Sequence, residues 1–208
     1  MARDKTNILV VFYSMTGNVA KLAQAVADGA NSVSGTEVRI RQVEELVPKE
    51  KWNDVIKKTK EDLKNIPLVT MDDLEWADGI AFGTPTRYGN MSAQMKQFID
   101  QTGNLWQRGA LENKVAGVFT STATQHGGQE TTIITSMVPL FHLGMIIVGI
   151  PYSEQRLFAV NTVGGGSPYG ASSVSGPMAN RESIENDIEI AKTFGRRIAQ
   201  IAKKISGK

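Results

Sequence analysis

The chain contains no cysteine. That excludes thiol nucleophiles, Cys-X-X-Cys redox chemistry, cysteine-ligated zinc and thiolate-held iron–sulfur clusters. It also removes any disulfide signal of compartment. Histidine is almost as scarce: His126 and His142 are the 2 in 208 residues. Neither has an acidic partner at ligand spacing, so no metal site is expected. No charge sign dominates, with 23 Lys plus Arg against 21 Asp plus Glu. No basic tract interleaved with aromatics marks a nucleic-acid surface. Long apolar runs are missing as well. The runs at 8–13 and 143–151 are too short to span a bilayer, and the polar stretch 1–7 is unlike a secretory leader. The expectation is a cytoplasmic protein that binds no nucleic acid and inserts in no membrane.

What is present is a core. Hydrophobic residues make up 41% of the chain, enough for one domain over residues 1–208 without metal or disulfide staples. Residues 8–13 read as a strand buried on both faces. Val19, Leu22, Ala23, Val26, Ala27 and Ala30 then fall on one helical stripe. Residues 36–43 alternate like an edge strand. Residues 79–83, 114–121 and 145–148 give three more strands, with helices between them carried by Met91 to Ile99 and by Ile133 to Phe141. A last helix runs through Ile184, Ile188, Ala191, Phe194, Ile198, Ile201 and Ile205. Strand and helix alternate five times, which predicts an α/β fold with a parallel sheet covered on both faces. Two segments exceed that plan. Residues 44–71 carry Trp52, Val55, Ile56 and Leu63 at helical spacing, with Lys57, Lys58 and Lys60 read as a solvated face. Trp52 and Trp76 read as packing residues. Residues 149–180 read as a long irregular connection, and its Gly/Ser-rich part, 164–176, as filler or as a lid on a neighbour's site.

Three loops concentrate the chemistry. Ser14-Met15-Thr16-Gly17-Asn18 lies between the first strand and the first helix, whose leading N–H groups attract an anion. Ser14, Thr16 and Asn18 add side-chain hydrogen bonds. The loop has neither Gly-Lys-Ser/Thr nor G-x-G-x-x-G, so it is neither a triphosphate loop nor the usual dinucleotide fingerprint. Without a lysine it suits a phosphate monoester; the alternative is a plain helix cap. The third strand ends in Thr84, Pro85, Thr86, Arg87, Tyr88 and Gly89. Pro85 stiffens this loop, Gly89 admits an unusual backbone angle, Tyr88 offers a flat ring and Arg87 a permanent charge. The fourth strand runs into Ser121, Thr122, Ala123, Thr124, Gln125, His126, Gly127 and Gly128, small enough for close backbone approach. Each loop alone fits a surface turn equally well. Together they lie beyond the carboxyl ends of the strands, where such sheets bind ligands.

Read in order, these residues resemble a known family. The stretch from Ser14 to Asn18 resembles the phosphate loop of flavodoxin-like proteins, which bind FMN. Adding Thr84 to Ser92, Asp100-Gln101-Thr102-Gly103 before Leu105-Trp106, Gly127-Gly128-Gln129-Glu130 and Ser167-Pro168-Tyr169-Gly170-Ala171, the chain is similar to the WrbA family of NAD(P)H:quinone oxidoreductases from about residue 7 onward. The resemblance implies a flavodoxin-like doubly wound five-stranded sheet of order 2-1-3-4-5, with the insertion after the second strand. It implies that Ser14, Met15, Thr16, Gly17, Asn18 and Val19 hold the FMN phosphate. Thr84 to Gly89 would border the ring and ribityl side, led by Thr86, Arg87 and Tyr88. Ser121 to Gly128 would wrap the other ring edge. His142 would be a flavin-site histidine able to protonate a quinone oxygen, Trp106 an aromatic wall over the substrate, and Thr16 a nicotinamide contact.

Two departures stand out. Many members carry an aromatic where this chain has Thr16. The loop Ala123-Thr124-Gln125-His126 is one residue longer than the all-glycine version. The implied reaction is ping-pong, two-electron reduction of a quinone by NADH or NADPH through FMN. Arg87 and His142 are then the catalytic candidates, in a homotetramer whose sites border neighbouring subunits. The rival readings are a flavodoxin-type one-electron carrier and a non-catalytic FMN-binding scaffold. The near-neutral charge and Arg87 argue against the carrier.

Overall fold

The computed structural model describes residues 5–207. Its central strand β1 (Thr6–Phe12) is buried along its whole length. It lies between two parallel neighbours, β2 (Thr36–Gln42) and β3 (Gly79–Pro85). A strand covered on both faces has no polar side to show, which is why its sequence is one apolar run. Ile8, Val10 and Phe12 face one side; Leu9 and Val11 face the other, with Tyr13 just beyond the strand. β4 (Val115–Thr122) pairs with β3, and β5 (Ile146–Ile147) with β4, so the order is β2-β1-β3-β4-β5, as expected.

The fifth position departs from expectation. β5 reaches only Val115 and Ala116. The upper half of β4, Thr120–Thr122, is paired instead by a sixth strand, β6 (Ser172–Val174). The segment read as irregular therefore re-enters the sheet. Gly170 permits this: a Cβ there would stand 2.1 Å from the Val118 carbonyl oxygen. Ser-Ser-Val is too short and too polar to announce a strand.

Helices α1 (Asn18–Asn31) and α7 (Glu185–Ser206) cover one face. The other carries α3 (Met71–Trp76), α4 (Ala93–Asp100), α5 (Gly103–Gln107) and α6 (Gln129–His142). Burying each large apolar side chain here, such as Leu22 or Phe194, contributes about 1.5–3 kcal/mol. Helix starts are capped by Thr70, in a reciprocal capping box with Asp73, and by Ser92, each contributing about 1 kcal/mol. α1 and α7 cross through paired glycines. A Cβ on Gly29 would lie 1.9 Å from the Lys192 carbonyl, and one on Gly195 would lie 1.9 Å from that of Val26.

The insertion after β2 forms a short 3-10 turn, Lys49–Lys51, and helix α2 (Asp54–Asp62). Within it Ile56 is buried while Val55 is exposed. Trp52 donates its indole N–H to Val47 O, and Trp76 carries Arg39 over its ring. α6 turns Ile133, Met137 and Leu140 inward, but Ile134, Val138 and Phe141 outward at 44%, 51% and 61% exposure. The apolar residues that marked this helix in the sequence thus fall on two faces.

Candidate functional site

Beyond the carboxyl ends of β1, β3 and β4 opens a cavity of about 360 Å³. The loop after β1 forms its floor through Ser14, Met15, Thr16, Asn18 and Val19. Gly17 stands at φ +92° and begins α1, and no side chain caps that first turn. Gly17 N–H instead donates to Ser14 Oγ at 3.1 Å. The leading N–H groups of a 14-residue helix are therefore left to a ligand, and the macrodipole makes that ligand an anion.

Pro85, Thr86 and Arg87 form one wall. The Arg87 guanidinium is held by Thr86 O at 2.8 Å and Met15 Sδ at 3.5 Å, which ties this loop to the first. Thr86 Oγ1 accepts from Thr132 Oγ1 at 2.7 Å and from Gly89 N at 3.2 Å. Ser121, Thr122 and Ala123 form the opposite wall.

Other candidates lie apart. Thr84 is buried beneath the wall, where Ser92 N–H donates to its Oγ1 at 2.9 Å. Tyr88 and Gly89 form the tip of a tight turn at φ +54° and +78°, closed by Arg87 and Asn90, and the Tyr88 ring is fully in solvent. Thr124 and Gly127 close the turn after β4. Gln125, His126 and Gly128 line a second, polar cavity facing 164–167. His142 and Trp106 are at the far edge of the sheet. His142 ends α6, two residues before Gly144, whose carbonyl accepts from Asn113 just ahead of β4. Trp106 precedes Arg108, which pairs with Glu75 ahead of β3. Both side chains face solvent.

The cavity also has walls that sequence reading missed. Asn53 and Val55 enter from the start of α2, and residues 175–179 close the mouth, with Met178 strongly exposed. The helical spacing at Val55 was visible, but not that its outward face meets a ligand space. Behind the floor lies a polar network. The Tyr13 hydroxyl meets the Glu45 carboxylate at 2.9 Å, Gln94 Nε2 donates to both, and Lys60 pairs with Glu45 at 2.6 Å. Burial and the Glu45 carboxylate push the Tyr13 phenol well above its ordinary range. Burial alone would raise the Glu45 carboxyl, but hydrogen bonds from Lys60, the Val47 N–H and Tyr13 outweigh it and hold it below the usual value.

Residues 6–154 match the family described as NADPH-dependent FMN reductase. The chain belongs to that family. Among its relatives, the NAD(P)H dehydrogenase (quinone) of Aromatoleum aromaticum is 48% identical over 199 residues, covering 95% of this chain and 96% of that protein. The protein of the same name from Methanosarcina barkeri is 50% identical, covering 95% and 98%. Among solved structures, a WrbA-like flavodoxin from Agrobacterium tumefaciens aligns with a TM-score of 0.66 at 23% identity, covering 96% and 99%. That likeness speaks to the fold. The family's description names FMN, and the residues of the cavity can be tested against it. The donor set, an exposed helix start with hydroxyls, and the apolar Met15, Pro85 and Ala123 around the cavity fit the phosphate and the ring of FMN. Among the described residues no helix is long and apolar enough to cross a membrane, and no three His, Asp or Glu side chains group as a metal site.

Proposed function

We propose that the chain is an FMN-dependent NAD(P)H:quinone oxidoreductase acting as a homotetramer. The carrying observation is the cavity at the carboxyl edge, floored by an uncapped helix start and walled by Arg87. FMN, when bound, supplies the two-electron chemistry that couples oxidation of NADH or NADPH to reduction of a quinone. The leading N–H groups of α1, with Ser14, Thr16 and Asn18, hold the phosphate. Arg87, fixed from two sides, sets a permanent positive charge where a reduced ring gains negative charge. Met15, Pro85 and Ala123 exclude water from the reacting face. No side chain is needed as nucleophile.

His142 and Trp106 are too far from this cavity to serve it within one chain. In the tetramer they border a neighbour's site, where His142 gives a proton to the quinone oxygen. Their exposure, beside the outward stripe of α6, supports this reading. A reaction spending NAD(P)H belongs in the cytoplasm, where those donors are made.

The test is oxidation of NADH and NADPH by FMN-loaded protein, with and without benzoquinone, against a free-FMN control. Quinone-dependent turnover above that control is expected, and the same assay ranks the donors. A bound flavin that fails to turn over would replace this reading with the carrier or the scaffold.

A further inference from the structure

The phosphate loop contains no lysine, yet a lysine reaches it from behind. Lys60 is in the last turn of α2. Its ammonium donates to the Ser14 carbonyl at 3.0 Å. It also pairs with Glu45 at 2.6 Å and stands 4.6 Å from the centre of the Tyr13 ring. Its neighbours on the same helix face water: Lys57 and Lys58 side chains are 62% and 75% exposed, Lys60 only 14%. Ordering and burying most of a lysine is costly, and its polar contacts are to Ser14 of the loop and to Glu45 and Tyr13 behind it.

We infer that Lys60 is a positioning residue that fixes the phosphate loop for its ligand, which rests on the FMN reading above. A trans peptide is planar, with its N–H opposite its carbonyl. Holding the Ser14 carbonyl on the Lys60 side therefore turns the Met15 N–H to the other side. Met15 lines the cavity and Lys60 does not. The preceding residue on α2, buried Thr59, also faces the loop, its Oγ1 3.8 Å from where a Gly17 Cβ would be. Lys60 acts by position rather than by field. Its charge is matched by Glu45, whose carboxylate is in turn fixed by Tyr13, Gln94 and the Val47 N–H. The insertion thus gives the loop from outside what a P-loop lysine occupies from within. It also couples the loop to α4 through Gln94, and so to the Arg87 wall that leads into α4.

Lys60→Met keeps the stem over Tyr13 and removes the donor. Two readouts test it. In FMN-free protein, backbone NMR order parameters at Met15 to Asn18 should fall from the rigid range, about 0.85, toward the flexible one, below about 0.6. In FMN titration, Kd should rise about tenfold or more, with turnover per bound flavin at saturating FMN close to wild type. Lys60→Arg should restore most of both. Should Lys60→Met fail to fold, Lys60→Met with Glu45→Gln removes the donor without stranding a charge and should show the same two changes. Unchanged order parameters and Kd would overturn the inference, as would losses that Lys60→Arg does not rescue. Wild type that binds no FMN would overturn the FMN reading, while the order-parameter comparison still decides whether Lys60 holds the loop.

Discussion

Gly17 begins α1 at φ +92° with no atom nearer than Thr59 Oγ1, 3.8 Å from its missing Cβ. Space does not demand glycine there; the backbone angle does. A β-branched residue at such an angle costs about 1–3 kcal/mol. Gly17→Val should lower stability by that order in urea unfolding and abolish FMN binding, because the turn would reshape to relieve the strain. Retained wild-type affinity would detach this loop from the phosphate. Asp187 poses a different residue-scale question. It is fully buried at the start of α7 and accepts from Gly165 N–H at 2.8 Å. Burial pushes its carboxyl up, against the pull of that N–H and of Arg181. The native state then holds the proton to higher pH than the unfolded chain does. Its contribution is fully present in acid and is lost as pH rises from the ordinary carboxylate value through the raised native one. Asp187→Asn keeps the acceptor and cannot titrate. Melting scans should show wild type losing stability relative to that variant as pH rises from about 4, the ordinary carboxylate value, upward. Parallel curves for the two proteins would reject the argument.

At the scale of elements, what was legible in sequence follows from burial. β1, β3 and β4 have two buried faces, so their runs are continuous and unambiguous. The loops they feed were therefore found from sequence, and Ser14, Thr86 and Ser121 do line one cavity. β6 was not legible, because it is made by glycines that let backbone meet backbone rather than by an apolar pattern. Nor was Lys60, since helical spacing cannot separate a lysine in water from one aimed at a carbonyl behind it. The distance of His142 from the cavity was hidden for another reason: it depends on the length of α6, which carries the chain to the opposite edge of the sheet. The contact of α1 with α7 yields a prediction of its own. Gly195→Ala puts a methyl 1.9 Å from Val26 O, and overpacking of this kind costs about 1–3 kcal/mol. A Tm lowered by about 2–4 °C for each kcal/mol is expected, with FMN affinity falling as α1 shifts. A Tm equal to wild type would mean that the helices separate at no cost.

For the whole molecule, the question is what covers Ile134, Val138 and Phe141. Three large apolar side chains on successive turns of one helix face water in the single chain, and exposed patches of this sort mark contact surfaces. If copies of the chain meet there, Phe141→Glu should shed mass in light scattering, from tetramer toward smaller species. It should also raise the KM for quinone, because His142 beside it would leave the neighbour's site. An unchanged mass would move the interface elsewhere.

The glycine crossing of α1 and α7 joins the first helix of the chain to the last. The helix whose leading N–H groups would grip the phosphate therefore lacks support on one flank until α7 has been synthesised. A nascent chain can pair β1, β2, β3 and β4 and lay α1 against them before α7 emerges, but the glycine crossing that fixes α1 from the side is not yet made. A truncation inside α7 should therefore leave the sheet paired and weaken the grip of α1 on a phosphate.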